Sequence, residues 1–232
     1  MKKTLLVAAF ALAGSFAFAQ KPSAGNKTAE VNLNFQTGTS AINYTLPAEL
    51  RLRYFMSDNA AVRVRFGLGS TTDKTSITNG TTQSDRTEKS GFGLTLTPGY
   101  EMHFEGTDKL SPYVGAQLGI ALGGKRNIEV TNASVANPNV GDIVKDSKFS
   151  QTDGSGLGIT LGLMMGADYY IADGVYLGGE FGLGLFSMNS IGEGTTSRVV
   201  SGGTAVETKT LKSSSSQLFG VSTGGVRLGF VF

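Results

Sequence analysis

The stretch LFGVSTGGVRLGFVF, residues 218–232, decides the fold because large apolar residues recur in it at every second position. The apolar face ends in Val226, Leu228, Phe230 and Phe232. The intervening positions hold mostly small residues and Arg227. A period of two is typical of a β-strand with one apolar face, whereas a helix would show a period of 3.6. The stretch therefore predicts a strand.

The same alternation recurs along the rest of the chain. It is longest at 91–104 and 155–171, where large apolar side chains alternate with glycine and threonine. Shorter segments with this pattern are 29–37, 45–56, 60–70, 112–124 and 174–188. Together with 218–232 they give eight predicted strands.

The connections between these strands alternate in length. The short ones are 57–59, 105–111 and 172–174, and the others, which are mostly longer and more polar, are 38–44, 71–90, 125–154 and 189–215. Such alternation places all short turns at one end of an up-and-down meander. An even number of amphipathic strands indicates a transmembrane barrel, whose closure leaves no unpaired edge in lipid. The predicted fold is all-β, an eight-stranded antiparallel up-and-down transmembrane β-barrel over residues 29–232.

The composition of the two strand faces indicates which one meets lipid. The non-apolar face is mainly glycine and threonine, and the chain has 33 glycines in 232 residues. A soluble barrel of the lipocalin type needs a lysine- and glutamate-rich exterior, which these strands lack. Small residues suit a narrow eight-stranded lumen, and the apolar face suits hydrocarbon. Aromatic residues near the short-turn end are expected to form an interfacial girdle: Tyr54, Phe104, Tyr169 and Phe232.

The N-terminal 19 residues predict a secretory signal. Lys2 and Lys3 precede an apolar run, and Ala17-Phe18-Ala19 forms an A-x-A cleavage site. Residues 20–28 are then expected to be a short periplasmic segment. Removal of the two lysines leaves 20 − 2 = 18 basic and 18 acidic residues, so the mature chain is formally neutral. This balance argues against a nucleic-acid partner.

The chain resembles a known family. The signal sequence, the eight amphipathic strands over about residues 28–232 and the terminal strand Val226–Phe232 are similar to the small outer-membrane β-barrel proteins of the OmpA/OmpX type. The resemblance implies insertion in outer-membrane lipid with both termini in the periplasm. It also implies that the barrel assembly machinery reads the last strand through Phe230 and Phe232.

Charged residues on the inward face are balanced. If the short-turn end is the bottom, the lower lumen receives five arginines, which are Arg51, Arg53, Arg63, Arg65 and Arg227. It also receives five carboxylates, which are Glu30, Glu49, Glu101, Asp168 and Glu180. Because buried charge is tolerated only when paired, the set predicts a salt-bridged plug, with Glu180 and Arg227 as the first expected pair. The alternative is the charged lining of a small pore. Above these charges, inward glycines predict a water-filled vestibule.

Other chemistry is weakly supported. The absence of cysteine and the single histidine, His103, exclude thiolate and multi-histidine metal sites, so no metal or cofactor is predicted. His103 and Glu101 share a face, but no serine on a matching strand is expected to join them. The chain is therefore predicted not to be an enzyme, and a lipid-modifying activity remains a lesser alternative.

The long connections are the expected source of specificity. Loops 71–90 and 125–154 are polar with mixed charges, and strands four to seven exceed the ~9–11 residues that a tilted span needs. Their excess length predicts a sheet raised above the membrane, with edges open to strand addition. The predicted function is a structural or surface-interaction role with an extracellular ligand at these loops. The alternative is a small passive pore for ions or small solutes.

Overall fold

The structure is a computed structural model that describes residues 21–36, 43–45, 49–79, 82–132, 146–199, 203–220 and 222–232. Within these residues the chain forms sixteen strands in two sheets. The strands are β1 (Lys27–Gln36), β2 (Asn43–Thr45), β3 (Glu49–Ser57), β4 (Ala60–Gly69), β5 (Thr72–Asn79), β6 (Thr82–Ser90), β7 (Gly93–His103), β8 (Leu110–Gly123), β9 (Arg126–Thr131), β10 (Lys148–Asp153), β11 (Gly156–Ala172), β12 (Val175–Ile191), β13 (Gly194–Val199), β14 (Val206–Thr210), β15 (Ser213–Leu218) and β16 (Ser222–Val231).

Eight strands close into an antiparallel barrel. They pair in the order β11-β8-β7-β4-β3-β1-β16-β12, and β12 returns to pair with β11. The first and last strands meet along nine residue pairs, from Thr28 opposite Val231 to Gln36 opposite Thr223. The predicted eight-stranded barrel is thus confirmed. The predicted signal segment 1–19 lies outside the described residues, and β1 begins two residues before the expected start.

The long connections contain strands that the sequence pattern did not reveal. The predicted loop 71–90 forms the hairpin β5–β6, and the predicted loop 125–154 contains β9 and β10. Together with β13 and β14 from 189–215 they make a six-stranded sheet in the order β14-β13-β10-β9-β6-β5, here called the raised sheet. Their sequences are mostly threonine, serine and charged residues, with only Ile128 and Val130 alternating in β9 and Phe149 in β10, so the long apolar alternation that marks the barrel strands is missing from them.

Two strand boundaries also differ from expectation. The predicted second strand, 45–56, is divided between the short β2, which pairs with β1, and β3. The predicted last strand begins at Ser222 instead of Leu218, which ends β15. Phe219 has a φ of 50°, in the left-handed region, and its backbone amide donates to the carbonyl of Leu185. The chain therefore turns at Phe219, between the edge strand β15 and the barrel strand β16.

The barrel is apolar outside and charged inside. Outward side chains such as Leu163, Met165 and Phe181 are about half exposed, at 47%, 57% and 48%. The largest fully buried side chains include Arg51 and Arg53, both of which point into the lumen. This distribution suits a barrel whose solvent on the outside is hydrocarbon. Among the described residues, no helix is long and apolar enough to cross a membrane.

Candidate functional site

The lower lumen brings together eight of the ten charged residues that the sequence placed there. Four are arginines and four are carboxylates, so the described cluster is formally neutral. Its members, here called the plug, are Glu30, Arg51, Arg53, Arg63, Glu101, Asp168, Glu180 and Arg227. They come from β1, β3, β4, β7, β11, β12 and β16. Residues that are paired across neighbouring strands point to the same face of the sheet, so inward positions on all these strands meet in the lumen.

Glu180 is the most highly connected carboxylate of the plug. Its oxygens lie 2.9 and 3.0 Å from the two terminal nitrogens of Arg51, and 2.6 and 3.1 Å from those of Arg63. Nη1 of Arg227 donates to Oε2 of Glu180 at 2.9 Å, which is the pair first expected from the sequence. The hydroxyl of Tyr113 on β8 donates to the same oxygen at 2.7 Å. With Tyr113, all eight barrel strands contribute to one network.

Arg53 connects the remaining carboxylates. It donates through Nη1 to Glu101 at 2.9 Å and through Nη2 to Asp168 at 2.7 Å, and its Nε lies 2.5 Å from Glu30. Arg227 contacts the other oxygen of Asp168 and lies 3.1 Å from Glu30. Each of these carboxylates therefore contacts at least two arginines. This multiple pairing is what offsets the several kcal/mol that each buried ion costs.

Several aromatic side chains pack next to the plug. The rings of Tyr170 and Tyr176 are 5.3 Å apart, and the guanidinium of Arg53 lies 5.2 Å from the centre of the Tyr176 ring. Phe55 and Tyr113 flank His103 at 5.2 Å each. The sequence analysis gave these aromatic residues no role. Phe55, Tyr170 and Tyr176 have the same strand parity as the inward residues Arg53, Asp168 and Glu180, respectively, and this signal could have placed them in the lumen.

His103 has a serine neighbour that the sequence analysis did not expect. Nδ1 of His103 lies 2.9 Å from Oγ of Ser111, and its Nε2 lies 3.2 Å from Oε2 of Glu101. A Ser–His–acid set is the grouping of a nucleophilic triad, but the serine there bonds Nε2 instead of Nδ1. Ser111 and His103 are only 4% and 5% exposed, and Glu101 is already bound by Arg53 and Arg63. The expectation that no serine joins this pair was wrong: His103 of β7 is opposite Tyr113 of β8, and Ser111 lies two residues from Tyr113 on the same face, within reach of the imidazole.

The other predicted site residues are Arg65, Glu49, Phe230 and Phe232. Arg65 of β4 lies above Arg63 and lines a cavity of about 280 Å³. Glu49 begins β3 opposite Gly67, and its side chain lies outside the described part of the structure. Phe230 pairs with Ala29 and Val175 on the two neighbouring strands. Phe232 is 68% exposed at the short-turn end.

The cavity above the plug occupies the place of the predicted vestibule. Its polar lining comes from several strands and includes Arg65, Gln117, Thr160, Ser187, Gln217 and Thr223. Two of the glycines expected there, Gly182 and Gly184, also line it. A Cβ atom on Gly182 would lie 2.6 Å from Oγ1 of Thr223, so glycine keeps this side of the cavity open. Nη2 of Arg63 donates to Oε1 of Gln117 at 2.7 Å, and this hydrogen bond joins the base of the cavity to the plug.

The raised sheet has its own small core and its own ion pairs. Ile128, Val130 and Phe149 form a buried apolar cluster on one face. On the same face Nε of Arg126 donates to Glu88 at 2.6 Å. Two hydrogen bonds lower the pKa of the Glu88 carboxyl, the one from Arg126 more than the one from Arg86. The opposite face is exposed and polar.

Comparison with solved structures finds similar chains at low sequence identity. The N-terminal beta-barrel domain of Pseudomonas aeruginosa OprF is 16% identical with a TM-score of 0.33, over 91% of this chain and 100% of that one. Ail of Yersinia pestis is 11% identical with a TM-score of 0.37, over 90% and 99%. The outer membrane protease OmpT of Escherichia coli is 10% identical with a TM-score of 0.43, over 90% and 93%. No curated protein matches the sequence.

A family match extends over most of the chain. Residues 4–218 match the family described as outer membrane protein beta-barrel domain. The match includes seven of the eight barrel strands and all six strands of the raised sheet. The chain therefore belongs to the outer membrane protein beta-barrel domain family.

Proposed function

We propose that this protein is a structural and surface-interaction protein of the outer membrane, which binds an extracellular partner through its raised sheet while its lumen stays closed. Family membership implies the outer membrane as its location. The observation that carries the proposal is a six-stranded sheet standing on a barrel whose lower lumen is filled by paired charges. A barrel that only conducted solutes would need neither feature.

The plug supports a closed lumen. Seven of its eight side chains are 2% exposed or less, and they are Glu30, Arg51, Arg53, Arg63, Glu101, Asp168 and Arg227. Guanidinium and carboxylate groups from seven strands and the Tyr113 hydroxyl from β8 fill the cross-section, so an ion could pass only if several ion pairs opened together. The small passive pore is thus the weaker proposal.

The raised sheet supports surface binding. Every residue of β14, an edge strand of the raised sheet, is exposed, as is every residue of β15, which pairs with β12 in the barrel sheet; within the described chain each of the two pairs on one side only. Free edges of this kind can accept a further strand through backbone hydrogen bonds. The polar outer face would add side-chain contacts.

We propose a non-catalytic role for the Ser111–His103–Glu101 contact, because its burial denies a substrate access and favours a structural hydrogen bond.

The first test is single-channel conductance of refolded residues 20–232 in a planar bilayer, with folding checked by the heat-dependent gel shift. We expect a closed lumen, with at most rare and very small openings. Steady openings would contradict the proposal and make the protein a small porin.

The binding role needs a second test. Replacement of 71–90 and 125–154 by short turns should abolish adhesion of protein-displaying cells to one another and to immobilised proteins and glycans. The gel shift should remain, because the barrel strands are intact. Unchanged adhesion would refute binding through the raised sheet. Ser111→Ala serves as the control variant, since a structural hydroxyl in the lumen should leave adhesion unchanged.

A further inference from the structure

The outer face of the barrel carries an apolar cleft with a single cation at its end. The cleft lies over β1, β3 and β4 near the short-turn end and has a volume of about 400 Å³. Its outward side chains are Lys27, Leu52, Tyr54, Val62, Val64 and Phe232. The valines are short beside the exposed rings of Tyr54 and Phe232, and this difference in height creates the depression.

Lys27 sits between the two aromatic residues. It is directly opposite Tyr54 across the β1–β3 pairing, and it exchanges two backbone hydrogen bonds of 2.9 Å with Phe232. Neighbouring strands are about 4.8 Å apart, so the three side chains form one row. Aromatic side chains of membrane proteins gather at headgroup depth, and this row places the Lys27 ammonium at that depth. Among the described residues, no side-chain carboxylate forms an ion pair with the Lys27 ammonium, and the main-chain oxygen of Phe232 accepts from the Lys27 backbone amide instead.

We propose that this cleft binds one phospholipid of the periplasmic leaflet, with the lipid phosphate on Lys27 and an acyl chain along Leu52, Val62 and Val64. A cation at headgroup depth attracts an anionic phosphate, and the apolar floor rises from it toward the middle of the membrane. A second copy of the chain fits this cleft poorly, because a two-fold contact would bring two Lys27 ammonium groups together. The site is separate from the raised sheet and the plug.

The test measures lipid retained by the folded barrel in native mass spectrometry. The barrel is refolded in detergent and offered phosphatidylglycerol, or diacylglycerol with the same acyl chains. We expect one retained phosphatidylglycerol per barrel and little diacylglycerol. Lys27→Gln should lower the phosphatidylglycerol occupancy about fivefold, equivalent to the ~1 kcal/mol typical of one basic residue near an anionic surface. Val62→Phe should also lower it, because the larger ring fills the cleft from the lipid side.

Lys109→Gln is the matched control. Lys109 is exposed at the same end of the barrel but does not line the cleft. Its replacement should leave lipid retention unchanged. Equal retention by the wild type and Lys27→Gln, equal loss in Lys109→Gln, or equal binding of diacylglycerol would each overturn the proposal. A dimer that Lys27→Gln strengthens would overturn it in favour of a second copy. Conductance and adhesion should not change in Lys27→Gln, so this proposal fails independently of the proposed function.

Discussion

Glu180→Gln is the most direct test of the plug. The substitution keeps the shape of the side chain but removes the charge that Arg51, Arg63 and Arg227 share. The Glu180 side chain is only 12% exposed, so water can replace little of what is lost. The side-chain nitrogen of glutamine carries two N–H donors. These would face the N–H groups of the arginines and could not accept hydrogen bonds from them.

The size of the effect follows from the charge balance. The described plug has four arginines and four carboxylates, and the variant would have four against three. One ion pair at about 3 Å is worth roughly 5 kcal/mol at an effective dielectric constant near 20, before desolvation is subtracted. Removal of one partner from a buried pair typically costs about 3–5 kcal/mol, since it leaves a buried charge uncompensated. We expect a loss of stability in this range, together with longer channel openings.

The assay is urea unfolding in lipid vesicles, followed by the gel shift and by far-ultraviolet circular dichroism because the chain has no tryptophan. Glu129→Gln is the control, since Glu129 is exposed on the raised sheet. The double variant with Arg63→Gln restores neutrality and should recover part of the stability. A loss below about 1 kcal/mol for Glu180→Gln, or a loss equal to that of Glu129→Gln, would refute the paired plug.

Three further predictions concern packing and the raised sheet. Gly229→Ala should cost about 1–3 kcal/mol, because the added Cβ would overlap the ring of Tyr176, whereas Gly179→Ala should be neutral with nothing within 4 Å; equal unfolding midpoints would contradict this. Phe149→Ala should cost about 3–5 kcal/mol of local stability, seen as faster proteolysis of the raised sheet with an unchanged barrel gel shift. The lowered pKa of Glu88 means that its ion pair stabilises the raised sheet above the usual carboxyl pKa and is lost as the pH falls through the lowered value. An NMR titration midpoint at or above that of an ordinary glutamate would contradict the last prediction.

The barrel was predictable because its periodicity is a direct physical consequence of its environment. Each barrel strand meets lipid on one side and a narrow lumen on the other, so apolar residues alternate with small or charged ones. The same parity placed Arg53, Asp168 and Arg227 in the lumen without knowledge of any contact. The parity of a residue within its strand and its approximate distance from the short turns are enough to identify the inward charges, which have to be paired because they are buried.

Partner choice within the lumen was harder to predict. Arg51 and Glu180 are 129 residues apart and lie on strands that are not neighbours, so their contact depends on how the tilted barrel staggers its strands. From the sequence, the position of a residue along the barrel axis can be judged only relative to other residues of its own strand. Ser111 was missed beside His103 because the pattern assigned it to the connection 105–111, whereas β8 already begins at Leu110. The raised sheet was missed as strands because its sequences are mostly threonine, serine and charged residues, and its few buried apolar residues, Ile128, Val130 and Phe149, are too few to reveal a period of two.

The plug also bears on why the barrel adopts one register. A slip of one residue in β3 would turn Arg51 and Arg53 outward into hydrocarbon and would place Leu52 among the carboxylates. Because the charged residues of the plug come from seven of the eight strands, a slip in any one of these seven turns a charge out of the lumen and leaves its partners unpaired. The ion pairs that close the lumen therefore also disfavour misregistered barrels. Replacement of the plug by apolar residues would remove both effects at once, which is why single neutralisations and charge-balanced double variants are the informative comparison.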